Sequence, residues 1–161
     1  MAAARQARAA DLAGLLGLYR APEVSAAAEG PRAKAIWRGT LRRPGLALFV
    51  SEAEGQVVAT ALLVTAPNLL RGGRGHGFLE NVVTHPAWRG RGHGGAVVRA
   101  ALAEAWALGC HHVLMQSGRA DPAVHRFYQG CGFVPGLRTA YVARRPDHPV
   151  DQSKLRSGGV T

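Results

Sequence analysis

A chain of 161 residues, 47% of them hydrophobic, is long enough to bury a core as one domain and too apolar to be disordered. Two cysteines exclude a disulfide scaffold, and no apolar run spans a bilayer or forms a secretory signal at the start, so the expected compartment is the cytoplasm. The formal charge of +10 asks for an anionic partner, but aromatics at 6% leave few base-stacking platforms, so a small anionic ligand or substrate explains it better than nucleic acid.

Residues 1–10 form a basic segment that holds or leads into a first strand. Asp11 is placed to cap a helix running through Leu12, Leu15, Leu16 and Tyr19 and ending near Ala21 and Pro22. Residues 24–30 are small and polar, as in a loop. Pro31 suits the first turn of a second helix, through Ile36 and Trp37 to Leu41, which Pro44 and Gly45 break. Strands are expected at 46–51 and 56–65, joined by a turn at 52–55. Residues 67–75 make a loop with Arg71 and Arg74.

A buried strand at 78–84 follows, stopped by Pro86. After a glycine-rich turn comes a helix over 96–108, where Val97, Val98, Ala101, Leu102, Ala105 and Leu108 recur at helical spacing. Gly109 closes that helix, and 112–116 reads as a short strand. Asp121 and Pro122 open a last helix through Phe127 and Tyr128 to about Gly130. Residues 133–134 and 139–143 suggest two closing strands. The pattern is an α/β (α+β) domain with a mixed sheet over residues 1–145, then a polar tail at 146–161.

The unit of strand, glycine-rich turn and helix organises the rest. Main-chain N–H groups at a helix N-terminus, flanked by Arg89 and Arg91 and little side-chain bulk, suit a phosphate or pyrophosphate. Residues Gly90, Gly92 and Gly95 also fit the dinucleotide pattern G-x-G-x-x-G. The context does not fit: Pro86, Ala87 and Trp88 stand between strand and glycines, and about 20 residues on, where an acid belongs, are His111 and His112.

The better match is Arg-x-x-Gly-x-Gly, made by Arg89, Gly92 and Gly94. With the strand ahead of it, and with Phe127, Tyr128, Gly132 and Phe133 matching a closing FY-x-x-x-GF signature, the chain resembles the GNAT superfamily of acetyl-CoA-dependent N-acetyltransferases. The resemblance runs from the first helix to the last strand. It implies acetyl-CoA as cosubstrate, no metal, and a central mixed sheet splayed at the CoA site and flanked by helices. Residues Arg89, Gly90, Arg91, Gly92, His93 and Gly94 would clasp the pyrophosphate, and Val82 and Val83 would pair with the pantetheine arm as an added strand. Many members have Asn where this chain has Asp121; Asp accepts a hydrogen bond and caps a helix, which leaves a CoA role for it open.

Glu80 is the only acidic residue between Glu54 and Glu104, and it sits in an apolar strand. Partial burial there would raise its pKa toward that of a general base; the alternative is a structural pair with Arg71 or Arg74. The resemblance gives Glu80 the task of taking the amine proton, often through water, with Asn81 to orient that water and a bulge to bring both into the cleft. It makes Tyr128 the acid for the departing thiolate, against the alternative of an aromatic packed on the sheet. Direct attack of the amine on the thioester needs no covalent intermediate. Cys131 reads as packing, adjacent His111 and His112 cannot face one metal from a strand, and His76 and His85 flank the central strand as surface groups. Arg71 and Arg74 are candidates to hold an anion on the acceptor.

The expected partner is a small-molecule primary amine, with a homodimer left open and no membrane. Two other readings remain: acetylation of a protein N-terminus or lysine, and a non-catalytic module binding acyl-CoA or nucleic acid.

Overall fold

The computed structural model describes residues 2–21, 26–143 and 145. The expected tail at 146–161 lies outside them, as do Pro22 and the start of the expected loop at 24–30. One sheet follows the chain in order: β1 (Arg5–Gln6), β2 (Leu46–Ala53), β3 (Gln56–Ala66), β4 (His76–Thr84) and β5 (Val113–Met115). The first four are antiparallel neighbours and β5 runs parallel to β4, so the sheet is mixed. Four helices flank it: α1 (Leu12–Arg20), α2 (Gly30–Arg42), α3 (His93–Ala107) and α4 (Pro122–Gly130). This is the expected α/β architecture.

Each face of the sheet has its own core. On one, Leu15, Leu18 and Trp37 from α1 and α2 pack on Leu48, Val50 and Val83. On the other, Val97, Val98 and Ala101 from α3 pack on Phe49, Leu63 and Leu79, and α4 adds Phe127 and Tyr128 at the margin. Full burial of side chains such as Leu15 and Leu18 contributes about 1.5–3 kcal/mol each. The β2–β3 turn uses Glu54 and Gly55 in the left-handed region, as a tight hairpin requires.

Asp11 stands before α1 but does not cap it with its side chain. Its carboxylate accepts from the Arg8 N–H at 2.6 Å and from both guanidinium nitrogens of Arg5, at 2.7 and 2.8 Å. It thereby closes the 3-10 turn Ala9–Asp11 and ties β1 to α1. The Arg5 guanidinium holds that carboxyl below its usual range.

Helix α3 begins at His93 rather than at 96, taking two glycines of poor helix propensity into its first turn. Packing explains it: a Cβ on Gly94 would lie 2.7 Å from Thr84 Oγ1 and 3.4 Å from the Phe127 ring. Only a residue without a side chain lets the helix start so close to β4 and α4.

The two closing strands do not form. After α4, Phe133 N–H bonds back to the Tyr128 carbonyl at 3.1 Å, and Pro135 and Gly136 turn the chain. Leu137, Tyr141 and Val142 are exposed. Strand β5 has only Val113 to Met115, so its outer edge is too short to template the expected pairings.

Candidate active site

The site is organised by an irregularity in β4. In the β3–β4 ladder Leu62 pairs with Glu80 and Thr60 with Val83, so Asn81 and Val82 together oppose Ala61 alone. That two-against-one count is a β-bulge, and Asn81 adopts φ 50° there, a conformation asparagine tolerates better than most residues. The bulge sends neighbouring side chains to different faces. Val82 packs on the α3 side with Tyr128, Val83 joins the α1–α2 core, and Asn81 lines a cavity on that same α1–α2 side.

On its other edge β4 parts from β5. The two pair only at Gly77–Val113, Phe78–Leu114 and Leu79–Met115. Beyond Leu79 the main chain of β4 is open toward α4, the splay expected from the sequence, and an open edge can accept an extended ligand as an added strand.

At the end of β4 the 3-10 turn Pro86–Trp88 leads into the glycine-rich turn. Gly90 at φ 73° and Gly92 at φ 87° take left-handed conformations that would strain any other residue. Gly92 is the N-cap of α3, and the first helical bond runs from Ala96 N–H to its carbonyl at 2.9 Å. The N–H groups of the residues between have no partner within the helix, which leaves an anion-binding N-terminus. Arg89, Gly90, Arg91 and Gly92 are exposed here.

His93 differs from its neighbours. Its side chain is buried, with Nδ1 2.8 Å from the Ser51 hydroxyl, which donates to the Ala3 carbonyl. The proton between His93 and Ser51 therefore belongs to Nδ1. Any contact of His93 with an anion is through its main chain. Trp88 was not singled out from sequence, yet it stacks edge-on against His93 at 5.5 Å and receives the Arg91 guanidinium over its ring at 4.8 Å. These contacts fix the turn. Aromatic–Arg proximity within the turn was the available signal.

Glu80 is exposed rather than partly buried, and it forms no ion pair with Arg71 or Arg74. Tyr128 is half-buried, edge-on to Phe127 at 4.9 Å and to Phe133 at 6.0 Å. Burial pushes its hydroxyl above the ordinary value, with smaller upward pushes from Cys131 and Glu80 and a downward pull from Arg119. The hydroxyl thus stays protonated and able to donate. Burial also pushes the Cys131 thiol up, against a thiolate role. Asp121 caps α4, its carboxylate accepting from Ala123 N–H at 2.8 Å.

Arg71 and Arg74 lie exposed in the turn before β4. Four residues of strand, at about 3.3 Å each, separate His76 from Glu80, so the arginines stand well away from the bulge. At that far end His76 stacks on His112 at 5.9 Å and the Nδ1 atoms of His111 and His112 are 3.0 Å apart. Burial holds the His112 imidazole below its ordinary value, with help from Arg138, His111, His76 and Arg71. Among the described residues no group of three His, Cys, Asp or Glu side chains is placed to hold a metal, and no helix is long and apolar enough to cross a membrane.

Comparison with known proteins agrees with this fold. The family model for the acetyltransferase (GNAT) family matches residues 12–133. A solved structure from Agrobacterium tumefaciens str. C58, provisionally named an acetyltransferase, superposes with a TM-score of 0.82 at 43% identity, covering 89% of this chain and 99% of that one. Glucosamine 6-phosphate N-acetyltransferase of Trypanosoma brucei brucei is 33% identical over 57% of this chain, which spans 62% of that protein, less than two thirds of its length. Glucosamine 6-phosphate N-acetyltransferase 1 of Oryza sativa subsp. japonica is 35% identical over 75% of this chain and 73% of its own length. The chain belongs to the acetyltransferase (GNAT) family.

Proposed function

We propose that this chain transfers an acetyl group from acetyl-CoA directly to the primary amine of a small molecule. The observation that supports it most is the continuity of one strand. β4 runs from the bulge at Glu80 and Asn81, along an edge left open by β5, into the anion-binding turn at Arg89 to Gly94. The residues present suit acetyl-CoA: N–H groups and glycines for a pyrophosphate, an open edge for an extended amide-bearing arm, and Tyr128 on the same face of the sheet as Val82. Bound acetyl-CoA supplies the thioester.

In this reading Arg89, Arg91 and the first-turn N–H groups of α3 bind the pyrophosphate. Val82 and Val83 offer main-chain groups to the pantetheine arm, and the Asp121 carboxylate borders it from the start of α4. The Glu80 carboxylate takes a proton from the substrate ammonium, directly or through a water that Asn81 orients. The freed nitrogen lone pair forms the N–C bond, the C–S bond breaks, and its electron pair leaves on sulfur. Tyr128 donates the proton that sulfur takes up. The nitrogen's second proton replaces it by way of solvent, so one proton is released per turnover.

Arg71 and Arg74 are cations available only to an anionic acceptor long enough to reach from the bulge to the turn before β4. Two free cysteines suit the cytoplasm as compartment. Exposed Leu137, Tyr141 and Val142 are apolar surface a homodimer would use. Following free thiol from acetyl-CoA across a panel of small amines, with lysine peptides as the protein-substrate arm, tests the reading. Thiol release with a small amine is expected. Binding of acetyl-CoA with no release from any amine would leave only a non-catalytic binding module.

A further inference from the structure

The cavity that Asn81 lines has a volume of about 280 Å3, near the lower limit of roughly 300 Å3 for small-molecule sites. It lies on the α1–α2 face of the sheet, next in the chain to Glu80. Leu12, Leu15 and Leu16 of α1, Ile36 of α2, and Leu48 and Leu62 of the sheet give it an aliphatic wall. Among the described residues of that wall none is charged, and neither Arg71 nor Arg74 belongs to it.

Its few polar atoms are mostly committed elsewhere. Trp37 Nε1 donates to the Ala9 carbonyl at 3.1 Å, and the Thr40 hydroxyl donates to the Ile36 carbonyl at 3.0 Å. The Tyr19 hydroxyl sits beside Thr60, pushed above its ordinary value by burial. Asn81 is then the polar group at the β4 end. A sugar seated here would leave most of its hydroxyls without partners, and a phosphate would lose its hydration with no cation in return. A hydrocarbon body loses nothing on entering and gains by leaving water.

We infer that the acceptor is a small primary amine with an uncharged alkyl or aryl body, seated in this cavity with its nitrogen toward Asn81 and Glu80. The inference rests on the acetyl-transfer reading and narrows it, away from the sugar phosphates for which the two relatives are named. The site separates body from nitrogen: hydrocarbon wall under α1 and α2, polar bulge at β4.

The test uses the full chain with acetyl-CoA and free-thiol detection. The acceptors are hexylamine and 2-phenylethylamine, compared with glucosamine 6-phosphate and ethanolamine. Both apolar amines are expected to exceed both polar ones at least tenfold in kcat/KM. Ile36 is half-exposed at the cavity, so Ile36→Asp should fold, and it should raise KM for hexylamine at least tenfold while acetyl-CoA affinity by calorimetry is unchanged. Ala28→Phe, which fills space at the wall, should act in the same direction. Faster turnover of glucosamine 6-phosphate than of either apolar amine would overturn this inference and leave acetyl transfer standing. An unchanged hexylamine KM in both variants would also overturn it. Thiol release from none of the amines would remove the transfer reading, and this one with it.

Discussion

The turn after β4 offers main-chain N–H groups and glycines, whereas the cavity under α1 and α2 is lined by side chains drawn from two helices, three strands and the residues just before α2. A cradle of backbone depends on conformation and has few adjustable parts. Gly92's left-handed conformation strains a side chain, and Gly94 against Thr84 has no room for one. A cavity of side chains can be reshaped by one substitution without disturbing the chain's path. On the proposed reading, the two halves of one path, cosubstrate at one end and acceptor at the other, are therefore constrained very differently. The cosubstrate half is fixed by geometry and the acceptor half by composition.

That contrast can be broken at the turn. Gly92→Glu places a side chain and a negative charge at the N-terminus of α3, and calorimetry should register no acetyl-CoA binding while circular dichroism stays native. Retained affinity would mean that the turn does not hold the phosphates. Glu80→Gln should sharpen it from the middle of the path. Turnover falls by roughly 10²–10⁴-fold, the usual contribution of a positioned general base, with acetyl-CoA affinity intact. An unchanged kcat would remove Glu80 from proton transfer. Tyr128→Phe is the smallest change. Losing one hydrogen bond to a charged sulfur costs about 1.5 kcal/mol, so stopped-flow thiol release should slow about tenfold. A wild-type rate would return Tyr128 to the packing role its contacts with Phe127 and Phe133 also allow.

The same contrast explains what could be read before the structure. Strand, turn and helix around Arg89 to Gly94 were legible because local chemistry writes them: a Pro stop, glycines for a tight turn, and apolar residues at helical spacing. Helix α3 starts at His93 rather than 96 because a long-range approach to Thr84 and Phe127 overrides glycine's poor propensity, and no window of sequence contains that approach. The closing strands were expected from β-prone residues at 133–134 and 139–143. A strand also needs a partner edge, and β5 supplies only three residues. Glu80 and Tyr128 were singled out as candidates by their chemistry, but Glu80's exposure was not foreseen. A strand that looks buried by composition loses that cover where a bulge and a parted neighbour open it. The cavity wall was invisible: Leu15, Leu48 and Leu62 look like any other core residues until the fold leaves a space between them.

The bulge at Asn81 has one more consequence, in the phase of the strand. Side chains along β4 alternate between two cores, yet Leu79 and Val82 lie on the same side though three positions apart, and Val83 lies on the other. The extra residue resets the alternation midway, so that β4 reads as two strands spliced out of step. Removing Asn81 would leave Val82 opposite Ala61 and Val83 opposite Thr60 in regular alternation, with both side chains on the faces they already occupy. The bulge thus adds one residue at the middle of β4 without changing which core either half packs on.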